Sequence, residues 1–408
     1  MPSTLSESPT FVDLVSKSSM AYLLDEDQRQ IQALVRRVAL EKVAQRAAEI
    51  DRTAQYPHDM FELLKALGLF ALPFPPQYGG SASLLTACIA VEELGRVCYN
   101  TAYLLIVQWA PFGAILAGGS DQQKARWLSG LASGELRGAL SLTESQSGSD
   151  VAGIKTTAKR SGDGYVLNGS KIWCTNSEIA DFILVGAQTI GANGEREGVS
   201  LFFVERNAKG LTIGPPEDKM GGRGVPSCPL FFDAVKLGAD ARLGPQGESG
   251  FKVAMETLNS SRPLIGARAV GLAQGATDHA SAFIKERNAF GRPVAEFQGI
   301  RWMIADMTMR TEAARQLVYA AAAQGDAGMK GSAFAPVAAM AKCFATDVGM
   351  EVATQAVQIF GAAGISSAYP INRYFRDAKI LQIVEGTNQI QRNIIADSVL
   401  GRTTRSKA

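Results

Sequence analysis

Ile31, Leu34, Val35 and Val38 recur at the i, i+3, i+4, i+7 spacing that lays one apolar stripe along a helix. This period predicts a helix over residues 25–50. Similar periods predict helices around 58–69, 84–98, 101–117 and 121–132, separated by Pro57, the Pro73-to-Gly80 turn region and Gly118-Gly119. Near residue 138 the pattern changes. Tyr165-Val166-Leu167, then Asn168-Gly169, then Lys171-Ile172-Trp173 predicts a hairpin, because both Asn and Gly tolerate the positive φ of a type I′ turn. A second Asn193-Gly194 lies between the apolar runs 182–185 and 199–204, and short runs at 211–213 and 230–232 complete an antiparallel β unit. From about 249 the helical period returns in Ala-rich stretches at 251–286, 295–325, 333–364 and 371–400. The order helices, strands, helices predicts an α+β chain with a β domain wedged between two helical ones. The divisions fall at 1–20 (flexible extension), 21–137 (helical), 138–248 (β) and 249–408 (helical).

At 408 residues the chain is long enough for two or three domains. Lys and Arg number 41 against 39 Asp and Glu, which argues against nucleic acid or an anionic membrane surface as partner. No uninterrupted apolar stretch reaches the roughly 20 residues a membrane helix needs. The five cysteines (Cys88, Cys98, Cys174, Cys228 and Cys343) show no Cys-x-x-Cys spacing, so neither a disulfide framework nor a zinc site is expected. With only His58 and His279 present, His-rich metal sites are excluded and a Ser-His-Asp hydrolase would have to use one of them. Residues 1–19 lack the basic start and apolar core of a signal peptide, and a cytoplasmic protein is expected. No Gly-x-Gly-x-x-Gly opens a helix after a strand, the nearest approach being Gly222-Arg223-Gly224 in a β context.

The most informative chemistry is near the C-terminus. Glu385 follows Ile380-Leu381-Gln382-Ile383-Val384 and precedes Gly386-Thr387. A carboxylate beside apolar surface has a raised pKa, which suits a general base; the same pattern also describes an ordinary first-turn glutamate of a helix. Arg376-Asp377-Ala378-Lys379, Glu385-Gly386-Thr387-Asn388-Gln389 and Gln391-Arg392 resemble the C-terminal signature of the acyl-CoA dehydrogenases. These flavoenzymes desaturate a thioester between Cα and Cβ. The resemblance runs from about residue 22 to residue 403, and it implies that the C-terminal helices form a four-helix bundle.

It also implies an FAD site and a division of labour. The stretch 142–150 is similar to the family's first β-domain signature, with Leu142, Thr143 and Ser149 in register for the cofactor and Ser149 also for substrate. Ser145-Gln146-Ser147 replaces the proline and extra glycine usual there. Trp173-Cys174-Thr175-Asn176 is similar to a segment whose Trp packs along the flavin and whose Thr hydroxyl reaches it near N5. Arg287, Phe290 and Gln298 match elements that reach a neighbouring subunit's FAD, where an arginine fork suits a pyrophosphate. Gln358, Gly361 and Ala362 match a turn near the adenosine half, with Ala362 in place of a glycine; Thr387 and Gln389 complete the cofactor set. For substrate the resemblance points to Tyr103, Asn259, Arg262 and Gly386. Some members carry the base on the helix after the β domain, but 258–263 here contains no acid, leaving Glu385 as the base. It would take the α proton as hydride leaves Cβ for flavin N5, with its own backbone N–H in the oxyanion site. No metal is expected. The implied partners are an acyl-CoA and electron-transfer flavoprotein, and the implied assembly is a homotetramer, a dimer of dimers. Tyr103 and Trp109 are bulky and Val384 is small, which predicts a short, branched or cyclic acyl group. An acyl-CoA oxidase, another flavoenzyme of the same fold, or a catalytically silent acyl-CoA-binding protein remain alternatives.

Overall fold

A computed structural model describes residues 24–244 and 250–401. The expected extension at 1–20 lies outside the described residues. Asp25 starts the first described helix, α1 (Glu26–Val38). Its side chain accepts from the Gln28 N–H while the Gln28 side chain reaches back to the Asp25 N–H. A π-turn at Ala39–Val43 carries α1 into α2 (Ala44–Thr53), which the left-handed Ala54 ends. Then follow α3 (His58–Ala66), α4 (Leu84–Gly95), α5 (Tyr99–Gly118) and α6 (Asp121–Ser133). At 20 residues α5 has the length and mean hydropathy of a membrane-crossing helix, although Asn100, Thr101 and Gln108 interrupt its apolar run, and its side chains are mostly buried among other elements. That is the signature of a core helix.

The β region comprises β1 (Gly138–Ser141), β2 (Thr157–Ser161), β3 (Gly164–Thr175), β4 (Phe182–Ile190), β5 (Arg196–Glu205), β6 (Leu211–Ile213) and β7 (Ser227–Leu237). Pairs β2–β3, β3–β7, β4–β5 and β6–β7 are antiparallel, as expected. The sheet is nevertheless mixed, because β1 and β2 both run parallel to β4. The hairpin expected at Asn168-Gly169 is absent: the chain turns at Gly162-Asp163, where Ser161 pairs with Gly164, and β3 runs straight through 168–169. Asn-Gly serves a bulge instead. The Asn168 side-chain oxygen accepts from the Ala234 N–H at 2.8 Å, and Gly169 has φ +140° with space for a Cβ closed by Thr156 Oγ1 at 2.6 Å. Asn193-Gly194 does turn the chain between β4 and β5, Gly194 donating to the Gly191 carbonyl at 3.0 Å.

The C-terminal region holds α7 (Gly250–Glu286), the two-residue strands β8 (Asn288–Ala289) and β9 (Arg292–Pro293), then α8 (Gln298–Asp326), α9 (Gly331–Phe360), α10 (Ala362–Ile365), α11 (Pro370–Leu381) and α12 (Asn388–Leu400). Helices α7, α8 and α9 pack together, and α11 and α12 supply a broken fourth member against α9. The single helix read over 371–400 is therefore interrupted at 382–387, and that over 333–364 at Gly361. The β unit is not wedged between two separate helical bodies. α4 and α5 pack directly on α7 and share one hydrophobic core with the C-terminal helices, while the sheet keeps a smaller core of its own. At the crossing of α4 and α7 a Cβ on Gly271 would stand 2.1 Å from the Glu92 carbonyl oxygen, so the two backbones touch.

Candidate active site

The break between α11 and α12 presents Glu385. Its φ is +57° and that of Gly386 is +90°, a left-handed conformation that costs a non-glycine residue about 1–2 kcal/mol. Side chains from two helices hold it. Gln391 of α12, fully buried, donates to the carbonyls of Glu385 (3.2 Å) and Gly386 (2.8 Å). Lys342 of α9, also fully buried, donates to the Gly386 carbonyl at 3.0 Å and to Asn388 Oδ1 at 2.8 Å. Burial pushes the Lys342 ammonium down to about 7. The Glu385 backbone N–H donates to no group among the described residues.

The partly buried carboxylate of Glu385 accepts from Ser261 Oγ on α7 at 2.9 Å. Burial raises its pKa above the ordinary glutamate value, opposed by the Ser261 hydrogen bond and by the charges of Arg262, Arg268 and Lys342. Arg262 donates through Nη1 to Asn259 Oδ1, and its buried Nε has no partner. Tyr103 of α5, half-buried, forms a wall of the same space: its hydroxyl lies 3.4 Å from Thr175 Oγ1, which lies 3.0 Å from Ser227 Oγ. Thus the structure brings Glu385, Gly386, Arg262, Asn259, Tyr103 and Thr175 together. Trp109 does not join them. It is buried with its indole N–H donating to the Phe70 carbonyl at 2.8 Å, a core anchor between α5 and the turn after α3.

On the sheet side, Glu144 shapes the loop 142–150. It accepts from the N–H groups of Lys155 (2.6 Å) and Thr156 (3.0 Å) and from Lys171 Nζ (2.7 Å), which also donates to the Leu142 carbonyl at 2.9 Å. Burial alone would raise the Glu144 pKa; Lys171 and the backbone donors reverse this and hold it at about 2. Ser145-Gln146-Ser147 closes a tight loop in which Glu144 and Ser147 exchange two backbone hydrogen bonds of 3.0 Å. The Thr143 carbonyl accepts from the Ile172 N–H at 2.9 Å, so the loop lies alongside Trp173, with Leu142 half-buried and Ser149 exposed. Trp173 sits at φ +58° with 51% of its surface exposed. A flat indole standing out beside the Thr175 hydroxyl is what a planar ring system would cover, and these residues could hold a flavin.

Arg287, Phe290, Gln298, Gln358, Gly361 and Ala362 are all exposed, Phe290 by 95%. Stacking of Phe283 on Phe360, ring centres 4.1 Å apart, brings their two segments to one end of the bundle. No hydrogen bond or ion pair among the described residues links this patch to Thr143, Trp173 or Glu385. Thr387 caps α12 by accepting from the Ile390 N–H, and Gln389 lies on a cleft of about 270 Å³ with Asp347, Lys379 and Arg392. A larger cleft, about 760 Å³ between α6 and the sheet, contains none of the converging residues. The Gly222-Arg223-Gly224 loop is a docking loop: its glycine N–H groups donate to Asp377 (2.7 Å) and Asn100 (2.9 Å).

Sequence reasoning missed Ser261, Lys342 and Arg268 as parts of the site, and it quoted Gln391 in the C-terminal motif without giving it a role. A signal existed for two of them, since Lys342 and Arg268 are lone cations inside Ala-rich, otherwise apolar helical stretches.

The chain matches the N-terminal, middle and C-terminal domains of acyl-CoA dehydrogenase over residues 25–135, 139–235 and 248–400. It is 41% identical over 380 residues to a probable acyl-CoA dehydrogenase, fadE25, of Mycobacterium leprae, covering 93% of this chain and 97% of that one. It is 40% identical to a cyclohexane-1-carbonyl-CoA dehydrogenase of Geobacter metallireducens, covering 92% and 98%. The solved butyryl-CoA dehydrogenase of Megasphaera elsdenii superposes with a TM-score of 0.87 at 38% identity, covering 92% of this chain and 99% of that one. The chain therefore belongs to the acyl-CoA dehydrogenases, oxidoreductases that use FAD.

Proposed function

We propose that Glu385 is the base that removes the α proton of a bound acyl-CoA thioester. The observation that carries this is its carboxylate, desolvated and aimed into the space shared by Ser261, Tyr103 and Thr175. A weakly acidic C–H needs a base kept from water and a donor for the enolate-like oxygen. The backbone N–H of Glu385, which serves no other acceptor among the described residues, is that donor. Arg262 and Asn259 position the thioester end, and Gly386 lets the chain approach it closely. Leu142, Thr143, Ser149, Trp173, Thr175, Thr387 and Gln389 hold FAD from one subunit. Arg287, Phe290, Gln298, Gln358, Gly361 and Ala362 reach the FAD of a neighbour within a tetramer. FAD, when bound, supplies the acceptor for the hydride from Cβ, and electron-transfer flavoprotein is the onward acceptor. Tyr103 limits the acyl space to a short group, branched or cyclic ones included; the butyryl- and cyclohexane-carbonyl-acting relatives accord with that reading.

The test is anaerobic bleaching of the flavin by a panel of acyl-CoAs. Glu385→Gln should slow bleaching by ~10²–10⁴-fold while FAD content and acyl-CoA binding persist. Because Ser261 Oγ touches the Glu385 carboxylate, the double variant Glu385→Gly with Ser261→Glu should recover part of the rate. Bleaching of Glu385→Gln at the wild-type rate would remove Glu385 from the mechanism.

A further inference from the structure

Arg268 is the largest fully buried side chain among the described residues, and its position is unusual for a cation. None of Nε, Nη1 and Nη2 has a hydrogen-bond partner, and no described carboxylate forms an ion pair with it. Its guanidinium lies 4.1 Å from the ring centres of both Tyr99 and Tyr103 on α5. Ring faces attract the charge but leave the donors, which radiate from the edge of the plane, unused. A desolvated guanidinium without an anion is strongly unfavourable, so its retention calls for a partner that arrives from outside the chain.

The helix says where that partner sits. Arg268 follows Ser261 by seven residues, two turns of α7, so both lie on one face, and Ser261 touches the Glu385 carboxylate. The offset is about 10 Å along the axis, and a helical side chain leans back toward the helix N-terminus. The guanidinium therefore stands only a few carbons beyond the base, near enough for its charge to act on Glu385. Tyr103 is common to both: its ring covers Arg268 and its half-buried hydroxyl faces Thr175.

We propose that Arg268 receives the far end of the acyl group, and that the substrates of this enzyme are short acyl-CoA thioesters ending in a carboxylate. An acyl chain with its Cα at Glu385 runs along the α7 face toward Arg268, where a terminal carboxylate accepts two parallel hydrogen bonds. This rests on Glu385 marking the reacting end of the site and narrows the short acyl group proposed above.

The experiment compares carbon-matched pairs on the wild-type holoenzyme: butyryl- with succinyl-CoA, pentanoyl- with glutaryl-CoA, and hexanoyl- with adipyl-CoA. In at least one pair the carboxylated member should exceed its apolar twin in kcat/KM by at least about 10-fold. Arg268→Met keeps the volume and removes the charge; it should shift that ratio by about 100-fold toward the apolar twin, with Arg268→Lys in between. A wild-type preference for the apolar member of every pair overturns the proposal even if the variants fail to fold. So does an unchanged ratio in Arg268→Met. Bleaching by apolar thioesters alone leaves the dehydrogenase reading intact, whereas bleaching by none sinks both.

Discussion

Ser261 is a single hydroxyl, yet it tunes the proposed base. Its hydrogen bond stabilises the ionised form of Glu385 and so opposes the rise that burial imposes. Ser261→Ala should therefore raise the Glu385 pKa further, and the acid limb of the kcat/KM profile should move to higher pH. The sign follows because the base acts only when deprotonated. A profile moving to lower pH, measured over several buffers at constant ionic strength, would contradict the assignment. Glu385 itself was legible because it stands in a long ordered motif. Lys342 and Ser261 were not, because each meets the Glu385 turn from another helix, and those encounters arise only in the packed bundle; Gln391 stands in the motif, but its hold on the turn is visible only in the fold. Trp109 shows the converse error: bulk near an expected pocket says nothing about which side of the helix a ring occupies, and here its N–H is engaged by Phe70.

Among elements, the clearest departure from sequence expectation is β3. Asn168-Gly169 satisfied every local criterion for a turn, but pairing with β7 along the strand prevails, and the positive φ is absorbed as a bulge. Gly169→Ala should be destabilising by about 2 kcal/mol or more, because it adds left-handed strain to a Cβ placed 2.6 Å from Thr156 Oγ1. Thermal melting checks this, and an unchanged Tm would mean the bulge is not rigid. The break at 382–387 was hidden for a related reason. Apolar spacing continues across it, and what stops the helix is the clamp from Gln391 and Lys342 rather than a local proline.

For the molecule as a whole, the order of helical and β segments was plain from periodicity, while the sharing of one core by both helical segments was not. Hydrophobic period reports that a face is buried, not what covers it. The exposed end of the bundle carries its own prediction. Phe290 at the tip between β8 and β9, with Arg287 beside it, suits a surface completed by a neighbouring subunit. Arg287→Ala should lose FAD on gel filtration and weaken assembly, read by flavin absorbance and light scattering. A monomeric wild-type protein with full flavin occupancy would contradict it. The shared core also bears on how the chain is made. α5 ends at Gly118 and its cover, α7, begins only at Gly250. At ~5–20 residues per second, a ribosome needs roughly 7–26 s to deliver the intervening stretch. For that time a 20-residue apolar helix emerges without its main packing partner. Until then the helix has only its near neighbours in sequence, α4, α6 and β1, to cover it, so the core is closed late in synthesis.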